Sequence, residues 1–262
     1  MSWRIFKLIT CISGLSILLS ASTTEAFINP EHLTITQPFT QLTAEQLHQK
    51  ANKISVKILS TEYLGTGIIL SEKKSVYTVL TNAHVLRADK PPYRIQTEDG
   101  KTYPANMLKK VNFQNYDLAL LQFTSSKKTY HTASFGASPK VGDEVFIAGF
   151  PSTEETENIS FTFISGKVSL ILTKALEGGY QVGYTNRLEK GMSGGALLNN
   201  QGEVVGVNGL HAYPLWDIPS VFIDGSQAEE QLHQQITQLS WAVPMDKIVS
   251  MMPPSDKPQT VK

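Results

Sequence analysis

From residue 54 onward the chain alternates short runs of aliphatic, β-branched and aromatic residues with turn-forming Gly, Asn, Asp and Pro. The runs fall at 54–59, 66–70, 76–80, 118–123, 145–148, 161–164, 180–184, 196–198, 204–207 and 241–243. Many short strands separated by turn signals predict an all-β barrel or sandwich. An alternating α/β fold is disfavoured, because the spacers lack helix-period stretches of a dozen residues. Three segments do read as helical: 43–50, with Thr43 as N-cap and Glu45 in the first turn; the polar 227–235; and a closing C-terminal helix at 245–252. Residues 134–143 contain Gly, Ser, Pro and Lys and read as a link between two β halves, about 53–135 and 138–245. The tail 253–262 is expected to be flexible.

The first 26 residues have a different character. Arg4 and Lys7 precede an apolar run from Leu8 to Leu19, and Thr24-Glu25-Ala26 fits a small-x-small cleavage site. The apolar run is shorter than the ~20 residues of a membrane span, so the segment reads as a secretory signal cleaved near Ala26. An uncleaved anchor is the alternative reading. Residues 27–52 then form an N-terminal extension carrying the short helix. Cys11, the single cysteine, lies within the signal, so the mature chain has no disulfide and no cysteine-rich zinc site. The expected destination is secreted or periplasmic, with no membrane association after cleavage.

Charge narrows the partners. The chain has 23 Lys+Arg against 23 Asp+Glu, and loss of the signal leaves 21 basic and 22 acidic residues. A neutral balance argues against nucleic acid as a partner, because phosphate binding needs excess cation. The six His are scattered and no His-Glu-x-x-His occurs, so neither a metal site nor a cofactor is expected.

Three blocks carry candidate chemistry, in the order His, Asp, Ser. They are Thr81-Asn82-Ala83-His84 at the end of an apolar strand, Asp117-Leu118-Ala119-Leu120 opening another, and Gly191-Met192-Ser193-Gly194-Gly195. A serine hydroxyl is a weak nucleophile until a nearby base takes its proton. Histidine suits that role, and an acid on its other ring nitrogen fixes the tautomer. Glycines allow backbone N–H groups to converge beside the serine, where they can stabilise an oxyanion. Each block alone has a plainer reading: a structural His, a turn Asp, a flexible loop. Their joint occurrence in an exported all-β chain favours nucleophilic hydrolysis. An α/β-type esterase is disfavoured because its elbow precedes its His in the chain.

These blocks resemble the signature of trypsin-like, chymotrypsin-fold serine peptidases of the compact bacterial type, including the HtrA/Deg peptidase domain and the glutamyl endopeptidases. Val141-Gly142-Asp143, Gly149-Phe150-Pro151 and the 202–207 run are also similar to the bacterial version. The resemblance covers about 54–249, within a peptidase domain at 53–252. It implies two six-stranded antiparallel β-barrels with the active site in the cleft between them. It also implies His84 as general base, Asp117 as its orienting acid, Ser193 as nucleophile, and the N–H groups of Gly191 and Ser193 as oxyanion hole.

The chain departs from this family in places. Met192 stands where zymogen-type members have an Asp, so activation by a new N-terminal ammonium is not expected; signal removal, with at most loss of 27–50, should suffice. Asn208 stands where glutamyl endopeptidases have a His, and His211 lies close by. Asn208 and Gly209 are the substrate-binding candidates, while Arg187, Glu189 and Lys190 could reach the same pocket. Residues 211–238 form an atypical insertion. A PDZ domain is not expected after residue 252. The expected protein is a monomeric serine endopeptidase acting on proteins or peptides, and its rival is a catalytically silent binding protein on the same fold.

Overall fold

The computed structural model describes residues 42–152, 159–212 and 219–252. The signal segment, residues 27–41, the tail from 253 and part of the insertion lie outside the described residues. Two closed antiparallel barrels of six strands each make up the fold, as the resemblance implied. The first contains β1 (Ser55–Leu59), β2 (Tyr63–Lys73), β3 (Val76–Thr81), β4 (Tyr93–Gln96), β5 (Thr102–Met107) and β6 (Ala119–Thr124), closed in the order β1-β2-β3-β6-β5-β4. The second contains β7 (Glu144–Gly149), β8 (Thr162–Ile171), β9 (Val182–Tyr184), β10 (Ala196–Leu198), β11 (Val204–Leu210) and β12 (Ser240–Pro244), closed as β7-β8-β9-β12-β11-β10.

Strand periodicity sorts the side chains between two kinds of core. On β2, Ile69 points into the first barrel with Val56, Ile58 and Val79. Its neighbours Ile68 and Leu70 point the other way, into a core shared with Phe146, Ala148, Leu198 and Val207 of the second barrel. On β11, Val205 faces the second barrel's interior while Val204 and Val207 face the shared core. Two strands, β4 and β5, were not expected from the sequence. β4 has only Tyr93 and Ile95 as buried apolar positions, and β5 contains Pro104 among exposed residues. Proline normally argues against a strand.

Four helices accompany the barrels. Helix α1 (Ala44–Ile54) begins where expected: the Thr43 hydroxyl accepts from the Gln46 N–H, and Gln46 returns a bond to the Thr43 N–H. It runs four residues past the predicted end and buries Leu47, Ala51 and Ile54 in the shared core. One-turn α2 (Ala83–Arg87) carries His84, which therefore sits on a helix just beyond β3 rather than at a strand end. Helix α3 (Glu230–Thr237) lies slightly later than the predicted 227–235, and α4 (Met245–Met251) matches the closing helix. Among the described residues no helix is long and apolar enough to cross a membrane.

Candidate active site

Helix α2, just beyond β3, presents His84 to Asp117. Asn82 holds the N-cap position of α2 in an extended conformation but makes no side-chain cap; its Nδ2 donates to the Asp117 carbonyl at 2.9 Å. The His84 N–H, one of the donors a helix start leaves without an intrahelical partner, donates to Asp117 Oδ1 at 2.8 Å. The ring's Nδ1 faces Oδ2 of the same carboxylate. Opposite a carboxylate Nδ1 carries the proton, which leaves Nε2 as the acceptor. Burial pushes the Asp117 pKa up, but hydrogen bonds from His84 and Tyr180 outweigh it and hold the carboxyl below its usual range. The Asp117 side chain is 11% exposed and that of His84 38%, so the base is open to the cleft while its partner is not.

The segment 190–195 supplies the serine from the other barrel. Its backbone is tied down on three sides. The Ser193 carbonyl accepts from the Thr66 N–H at 3.0 Å, and the Gly194 N–H donates to the Asn208 carbonyl at 2.9 Å. The Gly191 carbonyl accepts from Thr66 Oγ1 at 2.9 Å and from the Tyr63 hydroxyl at 2.6 Å. Burial pushes the Tyr63 pKa up, so this hydroxyl remains a donor. The Lys190 carbonyl accepts from the Ser152 N–H at 2.8 Å. Because the peptide is trans, the Gly191 N–H points in the direction opposite to that carbonyl. Neither the Gly191 nor the Ser193 N–H has an acceptor among the described residues.

Glycine is required at 191 on two counts. Its φ is +89°, and a Cβ there would lie 2.7 Å from the Phe150 carbonyl and 2.9 Å from the Ser152 nitrogen. Met192, in place of the zymogen-type Asp, is fully buried with Val145, Ile147, Leu188 and Leu197 inside the second barrel. Burial of such a side chain is worth about 1.5–3 kcal/mol, so the loop is anchored by apolar packing with no ion pair at this position.

Ser193 is 6% exposed. Its loop abuts the end of β3: a Cβ on Gly194 would lie 3.1 Å from Thr81 Cα, and one on Gly65 would lie between Val85 and the Ser193 carbonyl. No hydrogen bond joins Ser193 Oγ to His84 among the described residues. Asn208 is fully buried, its Nδ2 donating to the Ala196 carbonyl at 2.8 Å and its Oδ1 accepting from the Tyr184 hydroxyl at 2.9 Å. Gly209 lies against Tyr180 and Asn82. Arg187 and Lys190 are exposed and Glu189 is half-buried, while His211 Nδ1 bonds the Leu188 carbonyl at 2.8 Å. A cavity of about 630 Å³ opens beside Asp117, walled by Arg87, Tyr116, Leu176, Tyr180, Leu210 and Trp241.

Tyr63, Thr66 and Tyr180 were not singled out in the sequence as site residues, and Asn82 entered only within the His84 block. Tyr63, Thr66 and Tyr180 act on residues 63 to 128 positions away that only the docked barrels bring near, and Asn82 acts on Asp117, 35 positions away in its own barrel. Among the described residues no group of His, Asp and Glu is arranged to hold a metal ion.

Paired six-stranded barrels, with a His–Asp pair from one and a glycine-framed serine from the other, define the two-barrel peptidase class. The family model for the trypsin-like peptidase domain matches residues 65–207, more than half of the chain, and the chain belongs to that family. It is 33% identical over 149 residues to the periplasmic pH-dependent serine endoprotease DegQ of Escherichia coli (strain K12), covering 56% of this chain and 31% of that protein. It is 31% identical over 186 residues to the serine protease HTRA1 of Xenopus laevis, covering 66% and 38% respectively. The chain thus spans about a third of the length of these relatives. A solved serine endoprotease from Yersinia pestis shares the fold, with a TM-score of 0.58 and 21% identity over 80% of this chain and 65% of that one.

Proposed function

We propose that the chain is an exported serine endopeptidase that cleaves protein or peptide substrates through an acyl-enzyme. The observation that carries this reading is the pair of N–H groups at Gly191 and Ser193, without an acceptor among the described residues and held beside a serine whose loop abuts the His84–Asp117 pair. As Ser193 Oγ bonds to the substrate carbonyl carbon, its proton passes to His84 Nε2 and the carbonyl π pair moves to oxygen. That oxygen accepts from the Gly191 and Ser193 N–H groups, a contribution of about 3–4 kcal/mol per donor at comparable sites. Asp117 holds the imidazolium in place. The C–N bond then breaks, the amine leaves with the His84 proton, and water attacks the ester with the same base to release the acid and restore Ser193.

The edge of β11 at Asn208 and Gly209 flanks the substrate. Asn208 is fully buried with its side chain bonded internally, so it shapes that edge from behind and does not touch the substrate. The cavity beside Asp117, lined by Leu176, Leu210 and Trp241 together with Arg87, Glu177 and His211, is the candidate site for a side chain of the bound peptide. Export is supported by the N-terminal pattern and by the periplasmic designation of the DegQ relative.

The catalytically silent alternative rests on the absence of an Ser193 Oγ–His84 bond. Labelling the chain from residue 27 with a fluorophosphonate, read by peptide mass beside a Ser193→Ala control, separates the two. A single adduct on Ser193, absent from the control, is expected. Folded protein without an adduct would sink the peptidase reading and leave the binding one.

A further inference from the structure

The Asp117 carboxylate is held from both barrels. Its own barrel supplies His84 and, more weakly, the exposed Arg87, whose Nη2 lies 3.4 Å from Oδ1. The second barrel supplies the Tyr180 hydroxyl, 2.6 Å from Oδ2, the same oxygen that faces the His84 ring. The Asp117 N–H also donates to the Gly178 carbonyl at 2.8 Å, so residues 178 and 180 grip this acid by backbone and side chain together.

The surroundings are shaped around that hydroxyl. Tyr180 is buried in the core shared by the barrels. A Cβ on Gly209 would run into the Tyr180 hydroxyl and approach the Asn82 side-chain amide at 2.7–2.8 Å. Gly178 has φ +80°, and a Cβ there would lie 2.8 Å from the Tyr180 ring and 3.2 Å from Asp117 Cβ. A buried hydroxyl without a partner is costly, and no acceptor other than Asp117 is bonded to it among the described residues.

We propose that Tyr180 is a positioning residue for the His84–Asp117 pair, fixing the carboxylate rotamer and sharing the negative charge of the oxygen that faces the imidazole. Burial and then the Asp117 charge push the Tyr180 hydroxyl well above its ordinary pKa, so it stays a donor throughout the working range. The ionisable groups around the pair are His84 and Arg87 from α2, Tyr180 from the segment between β8 and β9, and Tyr184 from β9, with Glu177 and His211 on the cavity wall. Among the described residues only Tyr180 and His84 bond to Oδ2. Removing the tyrosine donor leaves more charge for the imidazolium, which then persists to higher pH, and frees the carboxylate to turn.

The mechanistic consequence rests on the peptidase reading, but its test does not. In the full chain, His84 ring resonances are followed by NMR across about pH 4 to 9 for the parent and Tyr180→Phe. The titration midpoint should rise by about half a pH unit in the variant. Against a peptide substrate, kcat should fall about tenfold with KM changed less than twofold. Loss of stability alone would not move the midpoint, so an unchanged midpoint overturns the proposal whatever happens to the rate. Should Tyr180→Phe fail to fold, 3-fluorotyrosine at position 180 keeps the shape and strengthens the donor. The midpoint should then move down, and no movement overturns the proposal. A parent chain that resists fluorophosphonate defeats the peptidase reading, while the NMR titration still decides the role of Tyr180.

Discussion

The carboxylate of Asp117 accepts from the His84 N–H, the His84 ring, the Tyr180 hydroxyl and, at longer range, Arg87. These donors favour the charged form and overcome the burial that opposes it. A carboxyl whose pKa is lower folded than unfolded adds stability above the unfolded value, about 3.9, and that stability is lost as pH falls through the folded value. The stability gap between the parent and Asp117→Asn should therefore not shrink between about pH 7 and 5, and should narrow only below about pH 4. Urea midpoints measured across that range check it, and a gap already closing by pH 5 would contradict the assignment. His84, Asp117 and Ser193 were legible in the sequence as candidates because their residue types and glycine neighbours are chemically distinctive. The donors that set the acid's charge were not. A Tyr after two glycines, as at 178–180, says nothing locally about a carboxylate 63 positions away.

Among the elements, α1 shows how far a local pattern can be trusted. The Thr43 cap was readable because a capping box is a short-range arrangement. The helix end at Ile54 was not, because the final turn is kept by burial against strands distant in sequence. This bears on trimming. Leu47, Ala51 and Ile54 are part of the shared core, Lys50 Nζ donates to the Gln201 carbonyl at 2.9 Å, and a Cβ on Gly202 would touch Lys50 and Leu47. The helix belongs to the body of the peptidase fold, so of the two outcomes the sequence left open, signal removal alone or further loss of 27–50, the packing favours the first. A chain beginning at residue 42 should fold and melt like one beginning at 27. A chain beginning at 51, or Leu47→Ala in the longer one, should lose about 2–5 kcal/mol. Thermal melts of the four settle it; equal stability of the chain from 51 would show that α1 is a removable appendage. The strands β4 and β5 teach the converse. With few buried apolar positions and a proline, they are held by pairing on both sides, and a partner strand leaves no mark on a strand's own local periodicity.

At the scale of the molecule, neither barrel contains a complete site. The first carries His84 and Asp117, but Asp117 is clamped by Gly178 and Tyr180 of the second. The second carries Ser193, but its loop is pinned by Tyr63 and Thr66 of the first. The same surfaces bury Ile68, Leu70, Leu80 and Leu120 against Phe146, Ala148, Leu198 and Val207. Separating the barrels would expose this apolar surface at about 25 cal/mol per Å² and unpair buried polar groups in the same step. No intermediate with parted but intact barrels should therefore be populated. Fluorophosphonate reactivity at Ser193 should vanish with urea at the same midpoint as the far-ultraviolet circular dichroism of the strands, because alignment of the site and stability of the fold draw on one interface. Reactivity lost well before the strands unfold would mean that the barrels part while each stays folded, and the shared core would then be a weaker joint than its burial implies.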